Sequence, residues 1–163
     1  MNPKVYIETT IISYLASKLS RDLITAAHQQ ITHDWWETRL TDFEGYISQF
    51  VLDEAGAGDA DAAAKRLALL ASFPLLDATP EALELARAFV ERGAIPPRKA
   101  ADAAHIAVAT VHHIQFLMTW NCTHLANAEI LAQVQAICAA LGYAAPIVCT
   151  PEELLGGRDD PMA

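Results

Sequence analysis

Ala100-Ala101-Asp102-Ala103-Ala104-His105-Ile106-Ala107-Val108-Ala109 sets one carboxylate and one imidazole three residues apart in a run of small and aliphatic residues. Residues at i and i+3 share a helix face, so Asp102 and His105 project from adjacent turns of the same side. Nearly every neighbour is Ala, Ile or Val, which makes this a helix buried on most sides. An ionised Asp in such surroundings needs a cation or a donor. Arg98 or Lys99 could supply it, and so could a metal ion shared with oxygen ligands from elsewhere in the chain. The helix spans Arg98 to His113 and follows the rigid connector Ala94-Ile95-Pro96-Pro97, whose prolines cannot sit inside a helix.

Outward from this helix, strands and helices alternate. Lys4-Val5-Tyr6-Ile7-Glu8 reads as a strand ending in a carboxylate, and Thr9-Thr10-Ile11-Ile12-Ser13-Tyr14-Leu15 follows with helical spacing and a Thr to cap it. Ser20-Arg21-Asp22 opens a helix reaching about Arg39, with Ser20 as its cap and Leu23, Ile24, Ala27, Ile31 and Trp35 as its apolar stripe. Trp35 and Trp36 point to different sides, one into the core and one toward a groove. Gly45-Tyr46-Ile47-Ser48 is a second strand feeding a helix that carries Glu54. A helix over 59–71 presents Ala63, Leu67 and Leu70 for packing. Phe73-Pro74-Leu75-Leu76 is a weak third strand, since Pro tolerates only an edge or strand-end position. Thr79-Pro80-Glu81 starts the next helix, which ends near Gly93. Past the Asp102 helix come a buried strand from Gln115 to Trp120 that ends at Asn121, a helix from Ala126 to Leu141 closed by Gly142, a last strand from Ala145 to Cys149, and a short helix capped at Thr150.

With 163 residues, 53% of them hydrophobic, the chain is expected to form one domain over 1–155 with a flexible tail at 156–163. The alternation predicts a three-layer α/β/α fold around a central, mostly parallel sheet of four to five strands. No apolar run approaches a membrane span and no signal segment opens the sequence, so the expectation is a cytoplasmic protein that makes no use of a membrane. Cys122, Cys138 and Cys149 lack paired spacing and read as reduced thiols. A net charge of −9 excludes a protein that grips nucleic acid through a broad basic surface.

Right-handed crossovers bring the carboxyl ends of parallel strands to one sheet edge. The polar residues there are Glu8, Glu54, Asp102 and Asn121. Three carboxylates and an amide oxygen repel one another without a cation, and an all-oxygen set suits one or two hard ions, Mg²⁺ or Mn²⁺. Two such ions can stabilise the attacking and leaving oxygens of phosphodiester hydrolysis.

Ile7-Glu8-Thr9-Thr10-Ile11-Ile12, Val51-Leu52-Asp53-Glu54, Ala101-Asp102-Ala103-Ala104-His105-Ile106-Ala107 and Leu117-Met118-Thr119-Trp120-Asn121 together resemble the four acidic motifs of PIN domains, in order and spacing. The likeness spans about Lys4 to Glu153, and the nearest group is the VapC-type toxins of bacterial toxin–antitoxin pairs. It implies a metal-dependent ribonuclease that hydrolyses RNA phosphodiester bonds with metal-activated water. Glu8, Glu54 and Asp102 would be catalytic, joined by Asn121 as metal ligands, with Thr10, His105 and His124 in support. It also implies a homodimer, neutralised by a small antitoxin. The antitoxin's basic segment would enter the acidic pocket while its remainder lies in a groove formed by Ile12, Leu15, Trp35 and Trp36.

Two residues depart from the family pattern. Glu8 replaces an Asp and is one methylene longer, and Asn121 replaces an Asp and offers oxygen without charge. The expected consequence is weaker binding of a second ion and activity that is weak, Mn²⁺-dependent or absent. The alternative is therefore a silent PIN-like domain that binds a protein partner or RNA without cleavage. His105 has a structural reading as a core residue bonded to a backbone carbonyl, and His124 and Asn127 as caps of the following helix. A phosphoryl-transfer or receiver-type domain is disfavoured, because no Gly-rich phosphate loop is present.

Overall fold

The computed structural model describes residues 1–156. Strands β1 (Lys4–Ile7), β2 (Glu44–Ser48), β3 (Leu75–Leu76), β4 (Phe116–Met118) and β5 (Ile147–Cys149) form one sheet in the order β3-β2-β1-β4-β5. Every pairing is parallel, so the mostly parallel sheet expected from the sequence is wholly so. Among the described residues, helices α1 (Thr9–Ala16), α2 (Leu23–Thr38), α3 (Gln49–Ala55), α4 (Ala60–Leu70), α5 (Pro80–Glu91), α6 (Ala100–Val111) and α7 (Ala128–Ala140) complete a three-layer α/β/α architecture. The tail expected at 156–163 lies, apart from Gly156, outside the described residues. Among those residues, no helix is long and apolar enough to cross a membrane.

The centre of the sheet is made by the most apolar strands. Val5, Tyr6 and Ile7 of β1 and Leu117 and Met118 of β4 are fully buried, as expected where helices cover both faces of a parallel sheet. Beside them, a Cβ placed on Gly45 of β2 would stand 2.5 Å from the Phe73 ring, so only glycine allows that approach. Helix α6 is buried from Ala103 through Thr110 and packs chiefly on α5, where its alanines let the two helices come close. Gly142, at φ +84°, ends the α7 segment as the sequence suggests.

Several boundaries differ from expectation for local reasons. Asp22, not Ser20, caps α2: its carboxylate accepts the Thr25 N–H at 2.9 Å, and the Ser20 hydroxyl accepts the Asp22 N–H. The α2 stripe is also displaced. Leu23 is 85% exposed and Ile24 stands in solvent, while the buried side chains are Gln29, Thr32 and Trp35. Leu67 of α4 is likewise exposed. Helix α6 stops at Val111 because His113 takes a left-handed backbone, φ +56°, while His112 Nε2–H donates to the Asp77 carbonyl at 2.8 Å. Cys122, Cys138 and Cys149 are all free thiols, and burial, followed by the Glu153 charge, pushes Cys149 up to about 12.

Candidate acidic active site

The chain places β1, β2 and β3 outward in one direction and then crosses back to lay β4 and β5 on the other side of β1. Connections therefore diverge at the carboxyl ends of β1 and β4, the position where open α/β sheets leave a crevice. Glu8 follows β1, Ser48 closes β2 ahead of the helix carrying Glu54, and Thr119-Trp120-Asn121 follow β4. Helix α6 brings Asp102 on its first turn and His105 on its second.

Glu8 is only 3% exposed and its carboxylate accepts three internal hydrogen bonds. Oε2 accepts the Thr10 N–H at 2.8 Å, and Oε1 accepts the Thr10 hydroxyl at 2.8 Å and the Thr119 hydroxyl at 2.5 Å. Glu8 thus caps α1 itself, the role expected of Thr9 or Thr10. Its extra methylene lets the chain fold back onto its own helix end, where an unpaired N–H needs a partner. Thr10 and Thr119 also fix the loop after β4, because their hydroxyls accept the N–H groups of Trp120 and Asn121 at 2.9 Å each.

Glu54 has a side chain 41% exposed, and its Oε1 accepts from Thr9 Oγ1 at 2.9 Å and from His105 Nε2 at 2.5 Å. Behind it, His105 Nδ1 and the Tyr6 hydroxyl are 2.6 Å apart, and Tyr6 and Ser48 hydroxyls are another 2.6 Å apart. Burial lifts the Tyr6 hydroxyl far above its ordinary range. The Ser48 bond opposes this and the charges of Glu8 and Glu54 reinforce it, so Tyr6 keeps its proton. His105 Nε2–H donates to the Glu54 carboxylate, and the Nδ1–Tyr6–Ser48 bonds continue the chain behind it. Burial pushes Glu54 up, but the hydrogen bond and charge of His105 and the Thr9 bond outweigh it and hold the carboxyl below its ordinary value. His105 is therefore bonded to side chains, not to the backbone carbonyl expected for a core histidine.

Asp102 is half-buried and poorly served. Its Oδ1 accepts only a long 3.4 Å bond from Asn121 Nδ2, and no other hydrogen bond reaches the carboxylate among the described residues. Burial pushes its carboxyl up; His105, His124 and Lys99 pull it down without prevailing, and Glu54 adds to the rise. Asn121 directs Oδ1 away from Asp102 to accept the His124 N–H at 3.1 Å. His124 is half-buried, with Nδ1 unpartnered, and Asn127 caps α7 by accepting from Glu129 and Ile130 N–H.

The donor set is oxygen only, which suits a hard divalent ion. Among the described residues, no three His, Cys, Asp or Glu side chains are grouped to hold a metal, so the geometry differs from a four-ligand cage. Two carboxylates are the usual protein share of a Mg²⁺ site completed by water and phosphate, and Glu54 and Asp102, near enough for Glu54 to raise the Asp102 carboxyl, are the pair available. Glu54 Oε2 and Asp102 Oδ2 accept no hydrogen bond among the described residues and Oδ1 only the long one, while Glu8 is buried and spends three acceptor positions on internal donors. Asn121 can contribute oxygen only by turning its amide over.

Ser48 and Thr119 shape this site without a sequence signal of their own, Tyr6 shapes it with one, and Thr9, expected only as a cap, donates to Glu54. The signal for Tyr6 is that a Tyr inside an aliphatic central strand and a His on a buried helix face each need a hydrogen-bond partner. The groove expected from Ile12, Leu15, Trp35 and Trp36 does not form. Ile12 and Trp35 are fully buried, and Leu15 and Trp36 pack against the same core, Trp36 edge-on to Phe73.

Residues 5–121 match the PIN domain family, a span that begins in β1 and ends on Asn121. No curated protein matches the chain.

Proposed function

The chain belongs to the PIN domain family, and from that premise we propose that it is a divalent-metal-dependent ribonuclease acting as the toxin of a toxin–antitoxin pair. The observation that carries this reading is the half-buried, underpartnered Asp102 beside Glu54 at the β1/β4 crevice. Glu54 and Asp102 would hold Mg²⁺ or Mn²⁺. When bound, that ion supplies Lewis-acid stabilisation of a phosphodiester oxygen and activation of the attacking water.

The chain's own residues then have distinct work. His105 and Thr9 hold Glu54 in one rotamer, and Tyr6 and Ser48 hold the His105 ring in one orientation. Glu8, through Thr10 and Thr119, sets the height of the Asn121 loop over the crevice. Asn121 Nδ2, weakly held by Asp102, is the donor available to a phosphate oxygen. A small antitoxin with a basic segment is the proposed partner, its Arg or Lys replacing the ion's charge on Glu54 and Asp102. An apolar groove of about 590 Å³, lined by Phe50, Leu83, Ala86, Val90, Ala101 and Ala104, flanks Asp102 along α6 and is the surface offered to the rest of that segment. A homodimer and a cytoplasmic setting complete the proposal.

One observation favours a silent, partner-binding domain instead: Glu8 is committed to three internal donors, which leaves two acids for chemistry. A cleavage assay on single-stranded RNA with Mn²⁺ separates the readings. The nuclease reading expects Mn²⁺-dependent products, and expects Glu54→Gln and Asp102→Asn to lose them. Co-expression with any short reading frame found beside this gene should yield a complex weakened by Glu54→Gln. A folded protein that cleaves nothing across a range of Mn²⁺ but still binds that partner supports the silent reading.

A further inference from the structure

Three rings lie in nearly parallel planes where α1 and α2 meet the loop after β4. His28 of α2 stacks on Trp120, with centroids 4.0 Å apart and planes 11° from parallel. Tyr14 of α1 stands 6.1 Å from Trp120 and 6.4 Å from His28, inclined by 25° and 21°. Trp120 is buried and pinned at both ends: Nε1–H donates to Thr32 Oγ1 at 2.7 Å and the backbone N–H to Thr10 Oγ1 at 2.9 Å. Tyr14 and His28 are half-buried residues beside an indole that is held in place.

The rings adjoin the acidic site. Trp120 directly precedes Asn121, and Tyr14 lies five positions past Thr9, about 7.5 Å along α1 at the usual helical rise. The loop joining α1 to α2 carries two exposed cations, Lys18 and Arg21. It is fixed by the buried Gln29, whose Nε2 donates to Ser17 Oγ at 2.8 Å and the Lys18 carbonyl at 3.0 Å, and whose Oε1 accepts the Ser20 N–H at 2.9 Å. In a chain of net charge −9, a half-buried aromatic surface beside two cations on a rigid loop is the combination that single-stranded nucleic acid uses, bases on rings and phosphates on cations.

We propose that Tyr14 and His28 form a stacking platform, backed by Trp120, for a base of single-stranded RNA adjoining the phosphate that is cut, with Lys18 and Arg21 holding the neighbouring backbone. This rests on the ribonuclease reading and names how that site holds its substrate.

The test is anisotropy of a short fluorescent oligoadenylate titrated with the full chain in chelator, where nothing is cut, beside an identical strand carrying one abasic position scanned along it. Tyr14→Ala and His28→Ala should each weaken binding about tenfold, and Tyr14→Phe should restore it. An abasic position seated on the platform should weaken wild-type binding and abolish the effect of Tyr14→Ala. Melting curves confirm that the variants are folded. Variants that bind every strand as wild type does, or a wild type blind to all abasic positions, overturn the platform. Mn²⁺-dependent cleavage tests the other reading separately. Cleavage that is indifferent to Tyr14→Ala and His28→Ala removes the platform and leaves the nuclease, whereas base-dependent binding without cleavage keeps the platform and removes the nuclease.

Discussion

Glu8 and Asp102 stand at the same sheet edge, yet one carboxylate is surrounded by donors and the other is nearly bare. Glu8 accepts three short bonds in a closed setting, while Asp102 has one long bond from an amide and a carboxyl raised by burial. A buried polar group whose bonds are all made contributes to stability, and one left wanting costs it. The difference fits the proposal that Glu8 serves mainly the fold and Asp102 a cation. It also shows that an acid's position in a motif does not fix its task, because the local supply of N–H and O–H groups decides it.

The comparison breaks first at Glu8. Glu8→Ala leaves the buried Thr119 hydroxyl and the half-buried Thr10 N–H and hydroxyl without their acceptor, so urea unfolding should show a loss of about 2–4 kcal/mol. A loss below about 0.5 kcal/mol would mean that the three bonds carry little and that Glu8 is free for other work. Tyr6→Phe comes next. It removes the hydroxyl between Ser48 and His105, and the expected cost is about 1–3 kcal/mol, with a fall in any cleavage activity through a loosened Glu54. Unchanged activity in a destabilised Tyr6→Phe protein would confine that chain of bonds to the core.

Asn121→Asp sharpens the contrast from the other side. A fourth charge beside Asp102 should lower the melting temperature of the metal-free protein and tighten Mn²⁺ severalfold, as seen by calorimetry. No change in either would remove Asn121 from the site.

The smallest effect concerns pH. Asp102 has a folded-state pKa above its unfolded one, so its ionisation disfavours folding above pH about 4 and the penalty disappears below that value. Metal-free Asp102→Asn should therefore match or exceed wild-type melting temperature at neutral pH, and the gap should close as the pH falls through the carboxylate range.

Much of this was legible in the residues. The alternation of β-rich and helical runs gave the α/β class, and strand ends gave the places of Glu8 after β1 and Asn121 after β4. What escaped was set by partners distant in sequence. Nothing local says that Thr119 donates to Glu8, 111 positions away, or that Tyr6 reaches His105 across 99. Leu23 and Ile24 have the spacing of a core stripe, but the first turn of α2 runs past the sheet, and no periodicity reports where a core ends. The aromatic stack of Tyr14, His28 and Trp120 was hidden for the same reason, since its rings come from three separate segments.

The central claim is that Asp102 is held for a cation and not for the fold, and calorimetric titration of Mn²⁺ into wild type and Asp102→Asn, with melting curves of both metal-free proteins, tests it most directly. The account predicts that the variant loses the Mn²⁺ heat and keeps or raises its melting temperature. A variant that binds Mn²⁺ as wild type does while melting well below it would contradict the account and make Asp102 a structural residue.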